Sequence, residues 1–182
     1  MAERSVGLIV MAEISEMGLV AVLQERGRFN TEKMRPESWP GVCQVTAHGK
    51  LKEEESFEAA LKREITEELG KEFYDSFFVL GALSRAGGRT QEGILLEVYR
   101  EETPEKIVIT FAAKVLDYYL CLIRLGPDTG GLRFVRREEV EKIVDLRGFN
   151  RQIGVPDRMT VAMFPDEKEA VAKAFTLFAE AK

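Results

Sequence analysis

Three glutamates at positions 64, 67 and 68 stand at i, i+3 and i+4, so one helix would aim all three carboxylates at one spot. Like charges at that spacing repel, by a few tenths of a kcal/mol per pair. The surrounding residues make the arrangement a strong constraint. Ser56 is suited to be an N-cap and Gly70 a C′ residue, which predicts a helix over Phe57–Leu69. On its wheel Phe57, Ala60, Leu61 and Ile65 form the apolar sector. Glu64 and Glu68 fall inside that sector and Glu67 on its edge, whereas Ala59, Lys62 and Thr66 point away. A Glu-rich helix is ordinarily a solvated face. Here the acids share the side that turns toward the protein body, where unpaired charge is costly. A hard divalent cation held between them reverses the repulsion, because such ions take carboxylate oxygens. Arg63, four residues before Glu67, is placed to pair with it.

The whole stretch Gly49–Lys71 resembles the Nudix box, G-x5-E-x7-R-E-U-x-E-E-x-G-U, where U is a bulky aliphatic residue. Gly49, Glu55, Arg63, Glu64, Glu67, Glu68 and Gly70 occupy its seven fixed positions, and Ile65 fills the first U. Lys71 stands at the last U, a departure that bears on a packing contact after the helix and not on the acids. From the chain's content of Gly, Glu and Arg, a chance match is expected on the order of 3 times in 100,000 such chains. Trp39-Pro40-Gly41 resembles the family's W-x-P-G-G region, with Val42 at the second glycine. Leu132–Val135 followed by Glu138, Glu139 and Val140 resembles its late strand and following helix. The resemblance spans about Ser5 to Leu146.

It implies an α+β fold, an α/β/α sandwich with a mixed β-sheet, and a hydrolase that cleaves a diphosphate linkage in a nucleoside diphosphate-X substrate by water attack on phosphorus. The implied cofactor is Mg2+ or Mn2+. Carried over residue by residue, the metal set is Glu64, Glu68, Glu67 and the Gly49 carbonyl, with Glu55 orienting the loop or binding metal indirectly. Arg63 is implied to orient a glutamate. The general base is Glu64 or an acid of a later loop, for which Glu97, Glu101, Glu102 and Glu105 are the candidates. Arg85 and Arg89, flanking Gly87-Gly88, are candidates for holding phosphate, as are Arg26 and Arg28; Trp39 is a candidate for stacking on a base. His48, the only histidine, is expected to be structural.

Two other readings compete. In the related isopentenyl-diphosphate isomerases a catalytic Cys directly precedes the position of Gly49; His48 stands there, and Cys43 lies five residues earlier. A non-catalytic Nudix-like binding or regulatory module ordinarily loses box carboxylates, all four of which are present here.

Composition narrows the class. With 182 residues, 45% hydrophobic and 31% charged, the chain is expected to be one domain, 1–182, with a substantial core. A net charge of −5 argues against broad nucleic-acid binding but not against a phosphorylated small molecule. Glu3, Glu13, Glu16 and Glu25 speak against a signal peptide, and no apolar run approaches the ~20 residues that span a bilayer. Cys43 and Cys121 lack metal spacing and fit a reduced, cytoplasmic setting. A homodimer is common in the family, and the apolar N-terminal strand is either such an interface or an ordinary sheet strand.

Strands are expected over Val6–Met11, Leu19–Gln24, Val42–Ala47, Phe77–Leu83, Ile94–Tyr99 and Leu132–Val135. The apolar segment Ile107–Leu125 alternates like a strand at its start and reads as a buried strand again from Tyr118. Helices are expected over Arg137–Leu146 and Asp166–Ala181.

Overall fold

The computed structural model of the protein describes residues 2–31, 33–77, 93–157 and 159–180. Its centre is β1 (Glu3–Ile14). Val6, Leu8, Val10 and Ala12 point to one face of the sheet, Ile9 and Met11 to the other, and all six are fully buried. A strand apolar on both sides belongs in the middle of a covered sheet. On one side β1 pairs in parallel with β8 (Lys106–Val115), whose far edge carries antiparallel β7 (Leu96–Glu102). On the other side β1 pairs with β2 (Gly18–Arg26), and β2 pairs in turn with β9 (Thr129–Arg136). The sheet is therefore mixed.

β1 and β2 splay apart, and the segment 43–50 fills the gap. Its first part, β5 (Cys43–Gln44), pairs with β2, and its second, β6 (Ala47–Lys50), pairs with β1. Thr46 sits at the fork. Its hydroxyl accepts the Val10 N–H at 2.7 Å and donates to the Val22 carbonyl. Val10 and Val22 are the last partners before the two strands part. One fully buried hydroxyl thus satisfies the two backbone groups that the divergence would orphan. A short hairpin, β3 (Phe29–Asn30) with β4 (Arg35–Pro36), interrupts the loop that follows β2.

Helices cover both faces. α1 (Phe57–Leu69) starts where expected, with Ser56 accepting from the Ala59 N–H at 3.1 Å, and ends at Gly70, whose φ of 93° favours glycine. It buries Ala60, Leu61, Ile65 and Leu69 against Val6, Leu8, Val10 and Ala47. Each such side chain stabilises by about 1.5–3 kcal/mol relative to exposure. A second helix, α2, occupies 71–77 and extends this layer through Phe73, Tyr74 and Phe77. On the opposite face lies α3 (Pro165–Glu180), which buries Ala170, Val171, Ala174 and Phe175 against Ile9, Met11, Ala21 and Leu23. The layering is the expected α/β/α sandwich.

Three expectations change. Phe77 lies in α2 instead of opening a strand, and 78–83 lie outside the described residues. Tyr118–Leu125 is not a strand: Asp117–Leu122 forms 3-10 turns, and the Arg124 N–H bonds the Leu69 carbonyl at 2.8 Å, closing the end of α1. Arg137–Leu146 is not an α-helix. A 3-10 segment, Arg137–Lys142, gives way to β10 (Val144–Asp145), which pairs with β11 (Ala162–Met163). Among the described residues no helix is long and apolar enough to cross a membrane.

Candidate active site

β6 runs antiparallel to β1 and carries Gly49 to a position directly over α1. A Cβ built at Gly49 would lie inside the van der Waals envelope of Glu64 Oε1, so only glycine lets that carboxylate rest against the strand. Glu64 is 8% exposed. Glu68, one turn on and half-buried, accepts the His48 backbone N–H at 2.9 Å. The Glu67 side chain is exposed at the rim. Adjacent residues of β6 thus hold two of the three acids, one by contact and one by a hydrogen bond.

Arg63 organises the remainder. Its Nε and Nη2 form a fork on Glu55 at 3.0 and 2.9 Å, and Nη2 also donates to the Lys50 carbonyl at 3.0 Å. Nη1 reaches Glu64 at 2.5 Å and Glu67 at 3.3 Å. The bidentate geometry suits guanidinium and excludes lysine as an equivalent. Hydrogen bonding to Arg63 holds the Glu55 carboxyl at about 2. Glu55 also accepts the Lys52 N–H at 2.9 Å, so it braces the loop between β6 and α1.

The two inner acids shift the other way. Burial raises Glu64, opposed by Arg63. Burial pushes Glu68 up to about 7, with Glu64 and Glu67 adding repulsion and the His48 N–H opposing. Among the described residues no three carboxylate, imidazole or thiol groups already converge as a metal cluster. Glu64 is turned to Arg63, and Glu68 to β6. The donor set nevertheless fits a hard divalent cation. It consists of oxygens alone, on two carboxyls raised in pKa by burial and mutual repulsion, one of them resting against a position that only glycine fits.

The site opens into a cleft with two adjoining chambers. The larger, ≈480 Å3, is lined by Gly49, Lys50, Glu68, Glu37 and Asp128. The smaller, ≈230 Å3, lies between the sheet and the start of α3, and is lined by Ser5, Tyr99, Lys106, Thr110, Asp166 and Glu167. Arg26, Gln44 and His48 line both. Arg26 is held by Glu37 at 2.9 Å, and Glu37 also accepts from Asn30 at 2.6 Å. Burial works to raise Glu37, but its bonds to Arg26 and Asn30 outweigh this and leave it lowered.

The structure brings together Gly49, Glu55, Arg63, Glu64, Glu67 and Glu68. Trp39 lines neither chamber; it packs in a third cluster with Val42, Leu146 and Val155, its backbone at φ 60°. Arg85 and Arg89 lie outside the described residues. Arg28, Glu97, Glu101, Glu102 and Glu105 line neither chamber, with Glu97 paired to Arg100 and Glu101 to Lys106. Cys43 is buried in the core, which pushes its thiol up to about 12, far from a reactive thiolate. The N–H of His48 fixes Glu68, and its imidazole, lowered chiefly by burial, lines the cleft. Sequence reasoning passed over Lys106, Asp166 and Glu167. A Pro165-x-Glu167 pattern at a helix start was the available signal, since proline favours N1 and glutamate N3.

The sequence matches no protein-family model and no curated protein. Solved structures do match the fold. A MutT/Nudix family protein from Listeria innocua superposes with a TM-score of 0.60 at 19% identity, covering 98% of this chain and 95% of that one. The Nudix domain of Shewanella oneidensis NrtR, solved with ADP ribose, gives 0.54 at 9% identity over 98% and 89%. A C. elegans Ap4A hydrolase binary complex gives 0.53 at 12% identity over the full length of both chains. The chain has the Nudix fold, and the Nudix-like stretch Gly49–Lys71 is the part of it that forms β6, the following loop and α1.

Proposed function

We propose that the chain is a metal-dependent hydrolase that cleaves the diphosphate linkage of a nucleoside diphosphate-X substrate. The observation that carries this reading is the seating of Glu64 and Glu68 on β6 at the edge of a cleft large enough for a phosphorylated ligand. ADP ribose and Ap4A, the compounds named with two of the fold's relatives, both contain phosphoric anhydride bonds, and this supports the substrate class.

Glu64, Glu68 and the Gly49 carbonyl would hold Mg2+ or Mn2+, with Glu67 as a further or water-mediated ligand. When bound, the ion supplies Lewis acidity toward a phosphoryl oxygen and lowers the pKa of water. The chain's own residues do the rest. Arg63 and Glu55 fix the loop and keep Glu64 oriented. Glu64 is our candidate to take the proton from the attacking water, its basicity raised by burial. Arg26, braced by Glu37, presents a fixed cation where the two chambers meet, suited to a phosphate.

The test is a panel of nucleoside diphosphate derivatives with Mg2+ or Mn2+, comparing wild type with Glu64→Gln. The expected result is metal-dependent release of a nucleoside monophosphate that falls at least 100-fold in the variant. No turnover of any member by folded protein, or equal turnover by the variant, would overturn the reading.

A further inference from the structure

The β3–β4 hairpin stands at the wall of the larger chamber, and Asn30, Lys33 and Glu37 line that chamber from it. In its register Phe29 faces Pro36 and Asn30 faces Arg35, which sets Arg28 opposite Glu37. The Glu37 N–H accordingly bonds the Arg28 carbonyl at 3.1 Å. Side chains alternate along a strand, and directly opposed residues share a face. Arg28 and Arg35 therefore belong to the face that holds Asn30 and Glu37, the one turned to the chamber. Phe29 and Pro36 belong to the other.

The hairpin is anchored at two points. The Gly27 N–H bonds the Asp128 carbonyl at 2.9 Å, and the Thr31 N–H and hydroxyl both donate to Asp128 Oδ1, at 2.8 and 3.1 Å. Glu37 accepts from Arg26 at 2.9 Å and from Asn30 at 2.6 Å. These bonds also engage the acids of the chamber wall. Glu25 accepts from Arg133 at 2.8 Å and Glu68 from the His48 N–H, so each of the four carboxylates there has a partner. Elsewhere on the surface Arg100, Arg136 and Arg147 are each paired with a carboxylate. Arg28, Lys33 and Arg35 are exposed, and none of them has an ion-pair partner among the described residues. Three like charges on one short hairpin repel one another. A chain of net charge −5 has carboxylates in surplus to pair them, yet these three are left facing the cleft. Along the strands Arg28 and Arg35 are two positions apart, about 7 Å, which suits a linear polyanion better than one compact anion.

We propose that the β3–β4 hairpin is the docking wall for a row of phosphates longer than two, with Arg28, Lys33 and Arg35 as its specificity-determining residues. This rests on the reading of the cleft as a nucleoside diphosphate-X site and narrows X: the group beyond the cleaved linkage begins with further phosphate. The substrate class is then a nucleoside bearing at least three phosphates in a row, in place of a nucleoside diphosphate joined directly to an uncharged sugar.

The experiment is calorimetric titration in chelator with inorganic pyrophosphate and inorganic tetraphosphate. Leaving out the ion prevents turnover and isolates the contribution of the chain's own cations. Wild type is compared with the triple variant Arg28→Gln, Lys33→Gln, Arg35→Gln, and with a control triple variant, Arg100→Gln, Arg136→Gln, Arg147→Gln, which removes the same charge from paired positions away from the chamber. Wild type is expected to bind tetraphosphate about tenfold more tightly than pyrophosphate. The hairpin variant is expected to bind the two within about twofold of each other, and the control variant to keep the wild-type preference. The inference is overturned if folded wild type shows no preference for the longer chain, if the hairpin variant retains it, or if the control loses it as fully as the hairpin variant does. Because no hydrolysis is measured, a length preference in a protein that cleaves no diphosphate would sustain this inference while sinking the hydrolase reading. Turnover of nucleoside diphosphate derivatives without a length preference would do the reverse.

Discussion

Gly49 decides how close Glu64 comes to β6. The carboxylate occupies the space a Cβ would take, so any larger residue must push it aside or turn it further toward Arg63. That displacement is a matter of an ångström, and misplacing a catalytic group by so little costs about 100-fold in rate. Gly49→Ala is therefore expected to lower kcat by about that factor and to weaken Mg2+ binding, with the circular dichroism spectrum unchanged. Steady-state kinetics and metal titration on the same preparation check it. An unaltered rate would show that Glu64 works from a different position. Arg63 is the complementary case. It spends every guanidinium nitrogen on Glu55, Glu64, Glu67 or the Lys50 carbonyl, so its contribution is orientation and charge balance within the site.

At the scale of elements, the fork between β1 and β2 makes room for the segment that carries Gly49, and Thr46 secures that fork. Thr46→Val keeps the shape but leaves the Val10 N–H and the Val22 carbonyl without their partner. Each orphaned group costs about 1–3 kcal/mol, so the expected loss from the two is about 2–6 kcal/mol by chemical denaturation. A loss under about 0.5 kcal/mol would mean that other groups satisfy them. Much at this scale was legible in the sequence. β1 and β2 announce themselves by short continuous apolar runs, and α1 by Ser56, Gly70 and a wheel whose acids share the buried side. The misreadings have physical causes. Arg137–Lys142 carries helix-start acids, Glu138 and Glu139, yet the chain must leave the helical path at Ile143. There Val144 bonds the Val161 carbonyl at 2.9 Å and pairs with Ala162 in β11, a contact made eighteen residues away that no local pattern encodes. Tyr118–Leu125 is apolar because Leu120, Leu122 and Ile123 pack under α1, and 3-10 turns with i→i+3 bonds leave no period of 2 or 3.6 to read. The candidate site divides the same way. Its box residues lie within one stretch of sequence, whereas Glu167 meets the cleft only because α3 closes the opposite face.

For the whole molecule, the buried Glu167 carboxyl ties stability to pH with a sign opposite to that of an arginine-held acid such as Glu55. Glu55, held at about 2 by Arg63, contributes stability that is present above the ordinary carboxylate value and is lost as pH falls toward 2. Glu167 has its folded value raised to about 8 from an ordinary value of 4.5. Between those values the folded state keeps a proton that the unfolded state has released, so stability falls as pH rises through the window and the full cost is present above about 8. Glu68, raised to about 7 in the metal-free protein, acts in the same direction over a shorter window. Glu167→Gln removes only the first of these terms and preserves the acceptor at N3. Its melting temperature relative to wild type, measured with a chelator present, is therefore expected to rise from pH 5 to about pH 8 and to level off above it. For a chain of 182 residues each kcal/mol corresponds to about 2–4 °C, which sets the scale of the divergence. Because Glu55 and Glu68 are common to both proteins, their contributions cancel in the difference. A difference constant across that range would show that Glu167 is ionised throughout, with its second oxygen paired in solution.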